Sequence, residues 1–364
     1  MQPQSAIRVF ALDDRSMLRS MLEGSLNGLR DIEVVGRSTE PSDYPAELLR
    51  SHPDVILLGL GMRSANPLKA MLDLRAYYPA PTFVYAPHGV QPDERALSAA
   101  QLGALEILVA PPPNDHARLR EFASELAQKI RIAARDARPV DLTKVRVAFR
   151  VATPQAPPAR QPERLERTPD VIVALGASTG GVEAIRAFLQ AAPLNFPPIA
   201  IVQHMPAGFT ASFAARLNAI CGLKVREAVE ADRMEPGQVL IARGDTHLTL
   251  RRAGDHYIVR YTHQNKVSLH CPSVDVLFDS FASAAGARGV GVLLTGMGED
   301  GARGLLAMRK AGALTATQDR ASCVVYGMPK VADHLGASAI HGRPEMLPGM
   351  LLRELQKRET PATV

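Results

Sequence analysis

The chain has 364 residues and a mass of 39.2 kDa, too long for one ordinary core, so two domains of roughly 100 to 200 residues each are expected. Hydrophobic residues make up 46% and charged residues 22%, which excludes extended disorder and leaves room only for a short linker. The net charge of +5 and pI near 9.2 arise from scattered Lys and Arg without a basic block or aromatic-interleaved patch, so no nucleic-acid partner is expected.

No run of about 18 apolar residues is present, and MQPQSAIRVF lacks the features of a secretory leader. The expectation is a cytoplasmic chain without membrane insertion. Cys221, Cys271 and Cys323 are odd in number and far apart, a pattern of reduced thiols rather than of a disulfide framework or a zinc site.

Residues 1–136 alternate short apolar runs with amphipathic stretches, the pattern of βα units around a parallel sheet. Strands are predicted at Ile7–Leu12, Ile32–Ser38, Val55–Leu60, Thr82–Ala86 and Glu106–Val109, with helices near 16–28, 43–51, 67–78, 93–102 and 115–135. The result is an α/β, doubly wound domain of flavodoxin-like size. Residues 137–168 place prolines among Arg, Glu and Gln with no apolar period and read as a Pro-rich linker. A second α/β domain with a Rossmann-like parallel sheet follows at 169–358, leaving 359–364 as a tail. Its strands include VIVALGA, Ile199–Gln203 and Val290–Thr295, with a helix from about Leu305. Residues 224–262 alternate polar and apolar positions around PGQ, RGD and AGD turns, which predicts an antiparallel hairpin addition to the main sheet.

Gly176-Ala177-Ser178-Thr179-Gly180 fits the G-x-S-x-G pattern, in which a serine stands on a sharp strand-to-helix turn. Ser178 would be exposed at the sheet's edge, with helix N–H groups aimed at a developing oxyanion. A phosphate loop is the competing reading, but Ser178 stands where G-x-G-x-x-G needs glycine, and no G-K-[ST] occurs. A serine that merely completes a tight turn is the plain structural alternative. His204 lies just past the next predicted strand, where an open α/β sheet places its crevice, and an imidazole there can take and return the hydroxyl proton. A carboxylate should fix its tautomer. GMGEDGARG offers Glu299 and Asp300, and spacing does not choose between them.

GASTGG, QHMPAGFT, PSVDVLF, LLTGMGEDGA and ASCVVYGMP, in this order over about 190 residues, closely resemble the chemotaxis protein-glutamate methylesterase (CheB-type) family. The resemblance implies a catalytic triad of Ser178, His204 and Asp300, with the backbone amide of Met297 as oxyanion donor. It further implies hydrolysis of glutamate methyl esters on the cytoplasmic helices of methyl-accepting chemoreceptors, releasing methanol, and in many members deamidation of receptor glutamines. An acyl-enzyme follows from such a triad, and the chemistry calls for no metal or organic cofactor. Thr179 either orients His204 or Ser178, or caps the following helix. VSLHCPSVD, with His270 and Cys271, departs from the arginine-bearing segment usual in the family, which bears on substrate contacts rather than on the triad.

Residues 1–136 resemble a response-regulator receiver domain. Asp13 and Asp14 match the acid pair that helps hold Mg²⁺, although Asp14 reads equally well as a helix N-cap. The phospho-acceptor position at the end of the third strand is Gly59, the switch hydroxyl position is Ala86, and the lysine position is Ala110. The expectation is a pseudo-receiver that aspartyl phosphorylation does not control and that acts through contacts with the esterase or with other chemosensory signalling proteins. A non-catalytic adaptor of a chemosensory pathway is the alternative from a different class, and a glutamine deamidase is the second enzymatic one.

Overall fold

Each of the five strands predicted in residues 1–136 is present in the computed structural model, which describes residues 6–13, 24–38, 44–62, 67–86, 98–99, 102–112, 115–136, 164–262 and 265–359. The chain divides into two compact units, Met1–Pro157 and Pro158–Val364. In the first, β1 (Ile7–Leu12), β2 (Ile32–Ser38), β3 (Val55–Gly59), β4 (Thr82–Ala86) and β5 (Glu106–Val109) lie in the order β2-β1-β3-β4-β5. All neighbours are parallel. β3 and β4 are buried at every position, as parallel strands covered on both faces must be. The described helices are Tyr44–Ser51, Pro67–Tyr77 and His116–Asp136. The helices expected near 16–28 and 93–102, most of 137–168, Asp14 and residues 360–364 fall largely or wholly outside the described residues.

The second unit is built on a seven-stranded sheet in the order β14-β13-β12-β6-β7-β9-β8, all parallel. Its strands are β6 (Ile172–Ala177), β7 (Ile199–Gln203), β8 (Lys224–Glu227), β9 (Gln238–Ile241), β12 (Gly289–Leu293), β13 (Leu314–Gln318) and β14 (Ile340–Gly342). β12 stops short of the expected Thr295, whose amide donates to the Gln318 side chain at 2.8 Å instead of to a ladder carbonyl. The expectation for 224–262 needs correction. β8 and β9 are parallel strands of the main sheet, β8 at its edge and β9 between β8 and β7, and only β10 (His247–Ala253) and β11 (His256–Thr262) form an antiparallel hairpin, as a separate two-stranded sheet.

Apolar residues at helical spacing seal the layers. Ile185, Phe188 and Leu189 of the helix Gly181–Ala191 are buried, and Phe188 meets Phe196 edge to face with centroids 6.0 Å apart. Phe278 and Phe281 of the helix Val274–Ala285 join Leu293, Leu305 and Met308 in the core. The chain leaves central β6 for β7 on one side and later returns as β12 on the other. That arrangement is a topological switch point, and it opens a crevice beyond the strands' C-terminal ends.

Candidate active site

Ser178, His204 and Asp300 follow the C-terminal ends of three neighbouring strands, β6, β7 and β12. Backbone hydrogen bonds lock the first two together. The amide of His204 donates to the Ala177 carbonyl at 3.1 Å, and the amide of Ser178 donates to the Thr295 carbonyl at 3.0 Å. Gln203 closes this frame by donating from its side-chain nitrogen to the carbonyls of Ser178, at 2.9 Å, and His204, at 3.1 Å. The turn works because Gly180 takes φ +78°, a left-handed conformation at the helix N-cap that glycine adopts without strain.

The sequence placed Ser178 exposed at the sheet's edge, and this is corrected. It follows the central strand and is only 5% exposed. The 294–301 loop closes over it at Gly296, where an added Cβ would lie 2.9 Å from the Cβ of Ser178. That loop is fixed, since Gly296 donates to the Val325 carbonyl at 3.2 Å and accepts from the amides of Gly327 and Met328. Met297, next in the chain after Gly296, is buried.

His204 and Asp300 are brought together: Nε2 of the imidazole lies 2.7 Å from Oδ2 of the carboxylate. The spacing of GMGEDGARG left two acids open, and the structure separates them. Glu299 is exposed and pairs with Arg303, whereas Asp300 is 1% exposed. Asp300 Oδ2 also accepts from the amide of Val274, while Oδ1 accepts from the Ser273 hydroxyl and the amide of Asp275. Burial alone would raise its pKa, but the hydrogen bond and charge of His204, the Asp275 amide and the Ser273 hydroxyl outweigh it and hold the carboxyl below its ordinary value. Asp300 is therefore a fixed anion facing the imidazole.

With Nε2 committed to Asp300, the nitrogen left for proton transfer is Nδ1. It is buried and makes no hydrogen bond among the described residues, so the bond to Ser178 expected of a triad is not formed. Such bonds are commonly loose before substrate arrives. Thr179 does not cap the helix: the N-cap is Gly180, without a side-chain bond, and the Thr179 hydroxyl is buried and unpaired among the described residues.

Three further residues support the site: Ser273 and His247 carried no separate signal in the sequence, and His270 stood out there only as a departure bearing on substrate contacts. Ser273 caps the helix Val274–Ala285 and donates to Asp300. His247, fully buried, accepts from the Ser273 amide at Nδ1. His270 lays its ring on that of His204, with centroids 3.6 Å apart and planes 12° from parallel. The cysteines are poor nucleophiles here: burial pushes Cys221 up to about 11 and Cys323 up to about 12, and it raises Cys271 as well.

The CheB methylesterase family matches residues 173–351. A protein-glutamate methylesterase/protein-glutamine glutaminase of Cupriavidus pinatubonensis is 40% identical over 337 residues, covering 92% of this chain and 91% of its own. A protein of the same description from Ralstonia nicotianae is 39% identical over 372 residues, covering 97% of each chain. Among solved structures, the Thermotoga maritima CheB methylesterase catalytic domain is 36% identical, with a TM-score of 0.49 over 50% of this chain and 98% of that one. Identity at this level along nearly the whole of both chains shows that the protein belongs to the CheB methylesterase family, the protein-glutamate methylesterase/protein-glutamine glutaminases.

Proposed function

We propose that the C-terminal unit hydrolyses glutamate γ-methyl esters on the cytoplasmic helices of chemoreceptors. Ser178 Oγ attacks the ester carbonyl and its proton passes to Nδ1 of His204. The imidazolium that forms is stabilised through Nε2 by anionic Asp300. The tetrahedral oxyanion is assigned to the backbone amide of Met297. Collapse breaks the bond to the methoxy group, which leaves as methanol with the proton from Nδ1. Water then repeats the sequence on the acyl-enzyme, freeing the carboxylate and Ser178. A glutamine side chain entering the same site would lose ammonia instead.

The observation that carries this reading is the division of labour on one imidazole, with one nitrogen bound to a buried carboxylate and the other unclaimed among the described residues, on a histidine whose backbone amide is bonded to Ala177, next to Ser178. Methanol release from methylated receptor membranes by wild type and Ser178→Ala tests it, since loss of one hydroxyl should remove nearly all of the rate. A serine-directed organophosphonate separates the enzyme from an adaptor: wild type is labelled at Ser178, and a chain that is never labelled is the adaptor.

A second observation favours an unphosphorylated N-terminal unit. Gly59 ends β3 against Asp13, so closely that an added Cβ would lie 2.6 Å from its carboxyl carbon. Asp13 is fully buried and accepts from the Tyr85 hydroxyl at 2.5 Å. A phospho-acceptor is absent, and a neighbouring side chain occupies an oxygen that a Mg²⁺ would need, so these residues do not fit the ion. This supports a pseudo-receiver. Treatment with a small-molecule phosphodonor and Mg²⁺ should leave no acid-labile phosphate on residues 1–136, and a stable adduct there would overturn the reading.

A further inference from the structure

We infer that His270 is a positioning residue for the general base: its stacked ring fixes the plane of the His204 imidazole and with it the direction in which Nδ1 points. The inference rests on the esterase reading above. A hydrogen bond from Nε2 to Asp300 fixes one atom of the ring at 2.7 Å, but it leaves the plane free to swing about that contact. Nδ1 lies off the axis of the bond, so any swing moves the nitrogen that must take the Ser178 proton. A second restraint must act on the ring face. The ring of His270 supplies it, with its centroid 3.6 Å away and its plane tilted by 12°, so that the His204 ring cannot turn without striking it.

The segment that presents His270 is built to hold it. Val267 and His270 exchange backbone hydrogen bonds of 3.0 and 2.9 Å across a two-residue turn. Both turn residues, Ser268 at φ +51° and Leu269 at φ +69°, sit in the left-handed region that favours glycine. Leu269 is 64% exposed, so core packing does not explain that conformation. Strain of this kind persists where the surroundings over-determine the backbone, and it concentrates at functional sites. The surroundings here include His247, whose Nδ1 accepts from the Ser273 amide at 3.1 Å. Its Nε2 therefore carries the proton and donates to the Asn265 carbonyl at 3.2 Å. One buried imidazole thus pins both ends of the 265–273 segment. Ser273 in turn donates to Asp300. The carboxylate that holds the edge of the His204 ring and the ring that covers its face belong to one frame.

The test compares methanol release by wild type, Ser178→Ala, His270→Phe, His270→Leu and His270→Gln. Phenylalanine restores a flat ring without hydrogen-bonding nitrogens, and should keep kcat within about threefold of wild type. Leucine and glutamine remove the flat face and should lower kcat by about tenfold or more, with KM within about twofold, because misplacing a catalytic group acts on the chemical step. Two non-aromatic variants of different polarity keep a folding defect peculiar to one of them, visible as a lowered Tm, from deciding the result. Equal rates for the Phe, Leu and Gln variants, or a loss confined to KM, would overturn the inference while leaving the esterase intact. Wild type no faster than Ser178→Ala would overturn the esterase reading and the inference together.

Discussion

Replacing Asp300 with asparagine removes one charge and almost no volume, and the four hydrogen bonds at this residue determine the outcome. Each carboxylate oxygen accepts two: Oδ1 from the Ser273 hydroxyl and the Asp275 amide, Oδ2 from His204 Nε2 and the Val274 amide. An asparagine must turn its NH₂ toward one of these pairs. Facing Ser273, the hydroxyl rotates to accept, but the Asp275 N–H meets another donor. Facing His204, the imidazole must accept at Nε2, which puts its proton on Nδ1 and abolishes the base, and the Val274 N–H is left opposed. Either orientation strands one buried backbone donor, a loss of about 1–3 kcal/mol in stability. Both also remove the anion that stabilises the imidazolium, so kcat should fall about 10³–10⁴-fold, as for carboxamide replacements at the equivalent position of other triads. Methanol release read alongside thermal unfolding separates the two effects, and a folded Asn variant that turned over within tenfold of wild type would show this reasoning to be wrong.

Two further outcomes concern neighbouring residues. Asp275 is 7% exposed. Burial, opposed by the Gly304 amide and reinforced by the charges of Asp300 and Asp279, pushes its pKa from 3.8 up to about 6. The folded state then binds the proton more tightly than the unfolded one, so stability present below about pH 4 is lost as pH rises through 6. The rise corresponds to a ceiling of about 3 kcal/mol. Asp275→Asn, whose carbonyl can still accept from Gly304, should gain stability over wild type between pH 4 and 7, and parallel Tm-against-pH curves would refute this. At Gly296 an added Cβ would lie 2.1 Å from Sδ of fully buried Met328 and 2.9 Å from Ser178 Cβ. Gly296→Ala should lose about 1–3 kcal/mol to overpacking and slow phosphonate labelling of Ser178; a variant as stable and as quickly labelled as wild type would contradict the packing argument.

What the sequence revealed depended on how local the determining physics is. The β6 turn was legible because its β-branched run, its small residues and its amphipathic helix are contiguous. His204 was legible for the same reason, at the end of a five-residue buried strand. The choice of Nδ1 over Nε2 was not, because ring orientation is set by Asp300, and Asp300 is itself oriented by Ser273, Val274 and Asp275, which lie 25 to 27 positions away. The burial of Ser178 was missed because it comes from a loop some 118 residues on, closing over it at Gly296. β8 was misread as part of a hairpin because alternation reveals a half-buried strand but not its partner. Lys224–Glu227 shows the mixed burial of an edge, and its parallel neighbour follows ten residues later.

The two units use one architecture, and the same test applies to the carboxylates at their strand ends. A buried carboxylate is tolerated only where donors replace its lost water. Asp300 meets this condition with four donors, and one of them, the imidazole, is a group whose proton can move. Asp13 is equally buried, but the donor seen at its Oδ2 is the phenol of Tyr85, and Gly59 packs against it where a reactive side chain would otherwise stand. The two carboxylates therefore differ in the kind of donor they hold, a phenol at Asp13 and an imidazole at Asp300. The glycine and phenol beside Asp13 suit the proposed pseudo-receiver, and a histidine whose other nitrogen is unclaimed among the described residues suits the proposed role of Asp300.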